Sequence, residues 1–300
     1  MIEGQEGVTW EQWCALADAC ERHGVDTLFR SDHYISQSAE ATNVAHDAWT
    51  TLAGLAARTT TLRFGTLVSP ATFRPPALLA NAVATVDHIS GGRIELGLGA
   101  GWMEREHRAY GFAFPDTSTR VEMFAEQLEI VHRLWTDERV NFLGKHYTLE
   151  DAPAQPKPLQ EPHPPLIVGG SGKRGTVEPA LKFADEYNAP FVSPDEFARI
   201  KQKLGDLRAS TMTGCIVGES RDDALDRART LYGRVQRDID FDTWLDRYAQ
   251  RAIIGSVDEA VARLREYGEA GAERVMLQHL LHTDLEPVRL IGERLAPALA

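Results

Sequence analysis

The chain has 300 residues, of which 43% are hydrophobic and 25% charged, so it carries enough apolar material for a large core and too much for a disordered segment. A formal net charge of −12 excludes non-specific binding to nucleic acid or to an anionic membrane surface, both of which need a basic excess. The three cysteines, Cys14, Cys20 and Cys215, show no metal-ligand spacing; with no signal-like start and no apolar run of membrane length, the expected location is cytoplasmic.

Met1-Ile2-Glu3 are the only residues available for a first strand before a helix over Thr9–His23. Val25–Arg30 reads as a strand, Asp47–Arg58 as an Ala/Leu-rich helix, Thr61–Val68 as a strand and Pro75–Ile89 as a helix opened by proline. Arg93–Gly99 alternates as a strand and leads into helical stretches over Met103–Tyr110 and Thr119–Trp135. Val140–Leu149 breaks the rhythm with two short strands around Leu143-Gly144-Lys145, and the proline-rich Ala152–Pro165 must be extended. Strands then fall at Pro165–Val168, Met212–Val217 and Glu273–Gln278. Helices fall at Lys173–Ala184, Pro194–Leu207, Arg221–Arg237, Val257–Ala270 and Asp284–Leu299. This alternation predicts a single domain over 1–300, an α/β (β/α)₈ TIM barrel with a hairpin-containing insertion after strand four.

Reactive groups in such a barrel sit at the carboxyl ends of the strands. Those ends carry Ser31-Asp32-His33-Tyr34, Thr66-Leu67-Val68-Ser69-Pro70, Gly97-Leu98-Gly99-Ala100-Gly101-Trp102 and Gly169-Gly170-Ser171-Gly172-Lys173-Arg174, followed by Asn188, Cys215, Gln278 and His279. His33 is the natural proton carrier, since imidazole titrates near neutrality, and Asp32 is a candidate to tune it or to bind a polar cofactor edge. Taken alone, a helix-capping surface turn explains the pair equally well. The 97–101 glycines are no dinucleotide fingerprint, because position 102 is Trp. They would let a flat ring lie against backbone, although by themselves they mark only a sharp turn. The 169–172 glycines, with basic flanks and a helix to follow, suit a phosphate; a flexible connection is the alternative. Trp49 and Trp102 would either wall the pocket or simply pack. His88, His107, His132 and His146 match no metal site, and no metal is expected.

The ordered set Ser31-Asp32-His33, Asp47-Ala48-Trp49-Thr50, Arg63–Val68, Gly91–Trp102, Glu104-x-Glu106-His107, Tyr110-Gly111 and Leu166–Gly172 resembles the luciferase-like monooxygenase superfamily, in particular its branch dependent on coenzyme F420. The resemblance spans nearly the whole chain. It implies hydride transfer between reduced deazaflavin and a small organic substrate, with His33 and Asp32 as catalytic residues. Ser31, Thr66, Leu67, Val68, Gly99, Ala100, Gly101 and Trp102 would surround the ring, and Gly169, Gly170, Ser171 and Gly172 would hold the phosphate. It also implies a non-prolyl cis peptide at Leu67–Val68 and admits a homodimer. Relatives that oxidise sugar phosphates carry Glu where Trp102 stands, which argues against that substrate. An FMN-dependent monooxygenase and a non-catalytic flavin-binding barrel are the alternative readings. Substrate choice would rest on the loops at residues 34–46, 103–118 and 239–254; the last, with Phe241, Trp244 and Tyr248, is equally a lid or an interface.

Overall fold

Strands and covering helices alternate along the computed structural model, which describes residues 1–37, 45–234 and 238–299. The first half comprises α1 (Trp10–His23), β1 (Thr27–Arg30), α2 (Ala48–Arg58), β2 (Arg63–Thr66), β3 (Ser69–Pro70), α3 (Pro76–Ser90), β4 (Ile94–Gly99), α4 (Glu104–Tyr110) and α5 (Thr117–Thr136). A hairpin of β5 (Arg139–Leu143) and β6 (Thr148–Pro153) follows. Then come β7 (Leu166–Gly169), α6 (Arg174–Phe183), β8 (Glu186–Asn188), α7 (Pro194–Leu204), β9 (Arg208–Gly218), α8 (Arg221–Arg234), α9 (Phe241–Ala249), β10 (Ala252–Ser256), α10 (Val257–Glu269), β11 (Arg274–Gln278) and α11 (Glu286–Leu290). Part of the loop expected over 34–46 and the end of the helix expected to reach Arg237 lie outside the described residues.

The sheet is parallel and runs β1-β2-β4-β7-β8-β9, with β11 on β9. Residues 1–3 complete it. Ile2 bridges Arg30 in parallel, Ile2 N donates to Phe29 O at 3.0 Å, and His279 N donates to Met1 O at 2.9 Å. The short first segment therefore joins β11 to β1 and closes a TIM barrel, as the alternation requires. Sequence propensity explains the helices: Thr9, Ser193 and Ser256 each form a reciprocal capping box, and Pro75–Pro76 opens α3.

The barrel interior is layered. At the amino ends of the strands Arg274 pairs with Glu95 at 2.8 Å and Glu186 at 2.7 Å, and Arg63 also reaches Glu95 at 3.0 Å. This plug satisfies charges that would otherwise be buried alone. Above it pack Phe29, Leu67, Ile167, Met212 and Met276. Polar side chains follow at the carboxyl-end mouth.

Three segments depart from the expected elements. The 239–254 stretch holds a helix, α9, and most of a strand, β10. That strand pairs with an extension of β9 over Gly214–Gly218, on top of the barrel wall. The closing helix is only α11 followed by a π turn over Ile291–Leu295. β8 is three residues long, too short to show a periodicity.

Candidate active site

His33 stands in the loop after β1 with its imidazole almost buried. Its Nδ1 lies 2.7 Å from Glu106 Oε2, and Trp102 meets the ring edge-on at a centroid distance of 5.7 Å. Glu106 sits on α4, in the insertion after β4, and is fully buried. Its other oxygen, Oε1, accepts the backbone N–H groups of Tyr34 and of Ile35, the latter at 3.3 Å. Burial pushes the His33 imidazole down, but the hydrogen bond and charge of Glu106, helped by Glu3 and Asp32, outweigh it and hold His33 above the ordinary histidine value.

Asp32, expected to tune His33 or to bind a polar cofactor edge, acts on His33 through its charge, while the hydrogen bond to the imidazole comes from Glu106. Asp32 faces the other way, accepting from Arg74 Nη1 at 2.5 Å and from Ser69 Oγ at 2.7 Å. Arg74 continues to Asp47 at 2.7 Å, and Trp49 Nε1 donates to Ser69 Oγ at 3.1 Å. Trp49 is thus packed and bonded to Ser69, whereas Trp102 is 60% exposed beside the His33 ring. Ser31 belongs to a third group: its Oγ donates to Gln5 Oε1 at 2.5 Å, Gln5 donates to Glu3 at 2.7 Å, and Gln278 donates to the other Glu3 oxygen at 2.6 Å. Arg74, Gln5 and Glu3 carried no local signal in the sequence. Glu106 was visible only as one letter of a motif.

The bed of the mouth is built around Val68. The Leu67–Val68 peptide is cis, as the resemblance implies. A Cβ at Gly99 would come 2.8 Å from Val68 Cγ2, one at Gly169 2.8 Å from Val68 Cγ1, and one at Gly97 2.2 Å from Thr66 O. The space these glycines leave is filled by Val68 and backbone, so a planar ligand would rest on Val68 and not directly on the glycines. Ala100 and Gly101 continue the rim towards Trp102.

Next to this bed, at the end of β7, the 169–172 turn is partly self-satisfied. Gly170 N donates to Asn188 O at 3.0 Å and Gly172 N to Tyr187 Oη at 2.9 Å. A Cβ at Gly170 would strike Tyr187 Oη at 2.4 Å. Beyond it α6 begins with no side-chain cap from Lys173, and Ser171, Lys173 and Arg174 are exposed. First-turn N–H groups without a side-chain cap, a positive helix end, Lys173 and an Arg174 paired with Glu178 at 2.6 Å make a cradle whose chemistry fits an anion such as phosphate.

Of the later strand ends, Asn188 is buried and donates to Ser210 Oγ at 2.9 Å. Cys215 is buried, and burial pushes its thiol up to about 12. His279 is buried too, and burial pushes its imidazole down to about 4. Neither is poised for proton transfer near neutrality.

The model of the family described as luciferase-like monooxygenase matches residues 2–274. The chain belongs to the luciferase-like monooxygenase family. Its relatives in this family differ in cofactor. An FMNH2-dependent dimethylsulfone monooxygenase of Pseudomonas putida is 30% identical over 194 residues, 65% of this chain and 52% of that protein. An F420-dependent glucose-6-phosphate dehydrogenase of Nakamurella multipartita is 36% identical over 168 residues, 54% of this chain and 47% of that protein. The chain thus spans about half the length of these curated luciferase-like relatives. The coenzyme F420-dependent tetrahydromethanopterin reductase of Methanopyrus kandleri shares the fold, with a TM-score of 0.81 at 18% identity over 100% of this chain and 98% of that one. Among the described residues of this family member, no helix is long and apolar enough to cross a membrane, and no cluster of metal-ligating side chains is present.

Proposed function

We propose that this luciferase-like protein is a coenzyme F420-dependent oxidoreductase acting on a small organic substrate with a carbonyl or activated double bond. The observation that carries this reading is one proton-competent imidazole, His33, seated at the barrel mouth by a buried carboxylate and walled by Trp102. Deazaflavin, when bound, supplies a hydride from carbon and avoids oxygen chemistry. Reduction of a carbonyl consumes one hydride and one proton. His33 is held above the usual histidine range, so near neutral pH it can deliver that proton.

Thr66, Leu67, Val68, Gly99, Ala100 and Gly101 would form the bed of the ring, and Ser31 and Trp102 its edges. Gly169, Gly170, Ser171 and Gly172, with Lys173 and Arg174, would hold the phosphate at the start of α6. Asp32 holds the loop through Arg74 and adds negative charge near His33. Trp102 stands where sugar-phosphate-oxidising relatives resemble one another in carrying Glu, so a sugar phosphate is not the substrate we assign.

An FMN-dependent monooxygenase is the second reading, favoured by the sequence likeness to the dimethylsulfone enzyme. The fold serves either chemistry. Anaerobic oxidation of reduced F420 against a panel of enones, imines and ketones tests the first reading. Turnover that falls at least 10²-fold in His33→Ala while cofactor still binds supports it; full turnover in that variant removes His33 from the chemistry.

A further inference from the structure

Glu106 is a carboxylate with both oxygens committed. Oε2 faces His33 Nδ1 at 2.7 Å, and Oε1 takes the Tyr34 and Ile35 backbone N–H groups. It is fully buried, on a different element from His33, and 73 residues away in sequence. A carboxylate cannot donate, so the shared proton belongs to His33 Nδ1. The ring nitrogen left for a ligand is Nε2.

We propose that Glu106 is the positioning residue of the site: it fixes the neutral His33 imidazole as the Nδ1–H tautomer, so that Nε2 alone exchanges a proton with the substrate. Glu106 also sets the seat of the ring, because the two N–H groups that it accepts follow His33 directly in the chain. A hydrogen bond to one ring nitrogen dictates the state of the other. The charged groups around His33 act in the same direction. Glu106 faces it from α4, Glu3 from the first segment and Asp32 from its own loop. Arg74, across the site, is engaged by Asp32 and Asp47.

Glu106→Gln is diagnostic, because its amide has one acceptor where the carboxylate has two. The Tyr34 and Ile35 N–H groups need that acceptor, which turns the NH₂ toward His33 Nδ1. Nδ1 must then accept, and the neutral ring becomes the Nε2–H tautomer. The substitution is isosteric and keeps the backbone bonds, so the fold is retained.

The measurement is ¹⁵N NMR of histidine-labelled protein without cofactor, with His33 assigned by its loss in His33→Gln. Wild type is expected to show the Nδ1–H tautomer above its titration. Glu106→Gln is expected to show Nε2–H, a titration moved to lower pH, and a loss of turnover on the order of 10²-fold. An Nε2–H tautomer in the wild type, which needs no variant at all, overturns the proposal. So does an Nδ1–H tautomer that persists in Glu106→Gln. Only the catalytic consequence rests on the function proposed above. A reversed tautomer with unchanged turnover would leave Glu106 as the positioning residue and remove His33 from the reaction.

Discussion

Arg74 Nη1 donates to Asp32 Oδ2 at 2.5 Å, and Asp32 is almost wholly removed from solvent. This pair fastens the loop after β1, which carries His33, to the segment before α3. Asp47, the cap of α2, is fastened to the same guanidinium.

Breaking that pair from one side strands a buried charge. Arg74→Met is therefore expected to cost about 3–5 kcal/mol of stability, and Arg74→Met with Asp32→Asn distinctly less than the single change. Urea unfolding of Arg74→Met, Asp32→Asn and the double variant checks this. A double variant as unstable as the sum of its parts would mean that the pair is not a unit.

Val68 and Gly99 are predicted to be energetically coupled. Gly99→Ala puts a methyl 2.8 Å from Val68 Cγ2, an overpacking expected to cost about 1–3 kcal/mol. Val68→Ala should relieve most of that penalty, giving a coupling of at least about 1 kcal/mol in a double-mutant cycle. Gly97→Ala should gain much less from Val68→Ala, because beyond Val68 Cγ1 at 2.9 Å it meets Thr66 O at 2.2 Å, a backbone atom that cannot be trimmed. Equal rescue at both glycines would contradict this account of the bed.

His279 gives the fold a pH dependence of known sign. Burial pushes its folded value down to about 4, whereas an unfolded histidine titrates near 6.5. Between those values the unfolded chain binds a proton that the folded chain does not. This contribution is complete above about pH 6.5 and is lost as pH falls toward 4, to the extent of about 3 kcal/mol. Urea midpoints measured from pH 7 to pH 4.5 should fall more steeply for wild type than for His279→Gln. Parallel slopes would show that His279 is not the group responsible.

Trp102 separates stability from binding. It is 60% exposed, so Trp102→Ala should shift unfolding by less than about 0.5 kcal/mol. As the wall beside His33, its loss should weaken cofactor or substrate binding roughly tenfold, about 1.4 kcal/mol. A stability loss with unaltered binding would make it a packing residue.

The barrel was legible because alternation of β-branched runs and amphipathic stretches persists through the chain, and the hairpin at 139–153 because its turn residues interrupt that rhythm. The first strand was legible only as a possibility of three residues, and its role depends on partners near residues 30 and 279. Phe241, Trp244, Leu245 and Tyr248 stand at helical spacing and form α9, inside a segment expected as a loop. β10 could not be read, because a five-residue apolar run does not reveal whether it lies within the barrel or on its rim. Within the candidate site, His33 was evident from residue type and its place after a strand. Glu106 and Arg74 were not, since a partner 73 or 42 positions away leaves no local trace. The adjacent Asp32 is legible as a charge near His33, and it does act on the imidazole in that way.

Fluorescence titration of the purified protein with F420 and with FMN, in parallel and at the same salt, bears most directly on the proposed chemistry. The account predicts saturable F420 binding that weakens when Lys173 and Arg174 are both changed to Ala, with FMN bound at least tenfold less tightly. Tight FMN binding with oxygen consumption on reduction, and no response to F420, would contradict it.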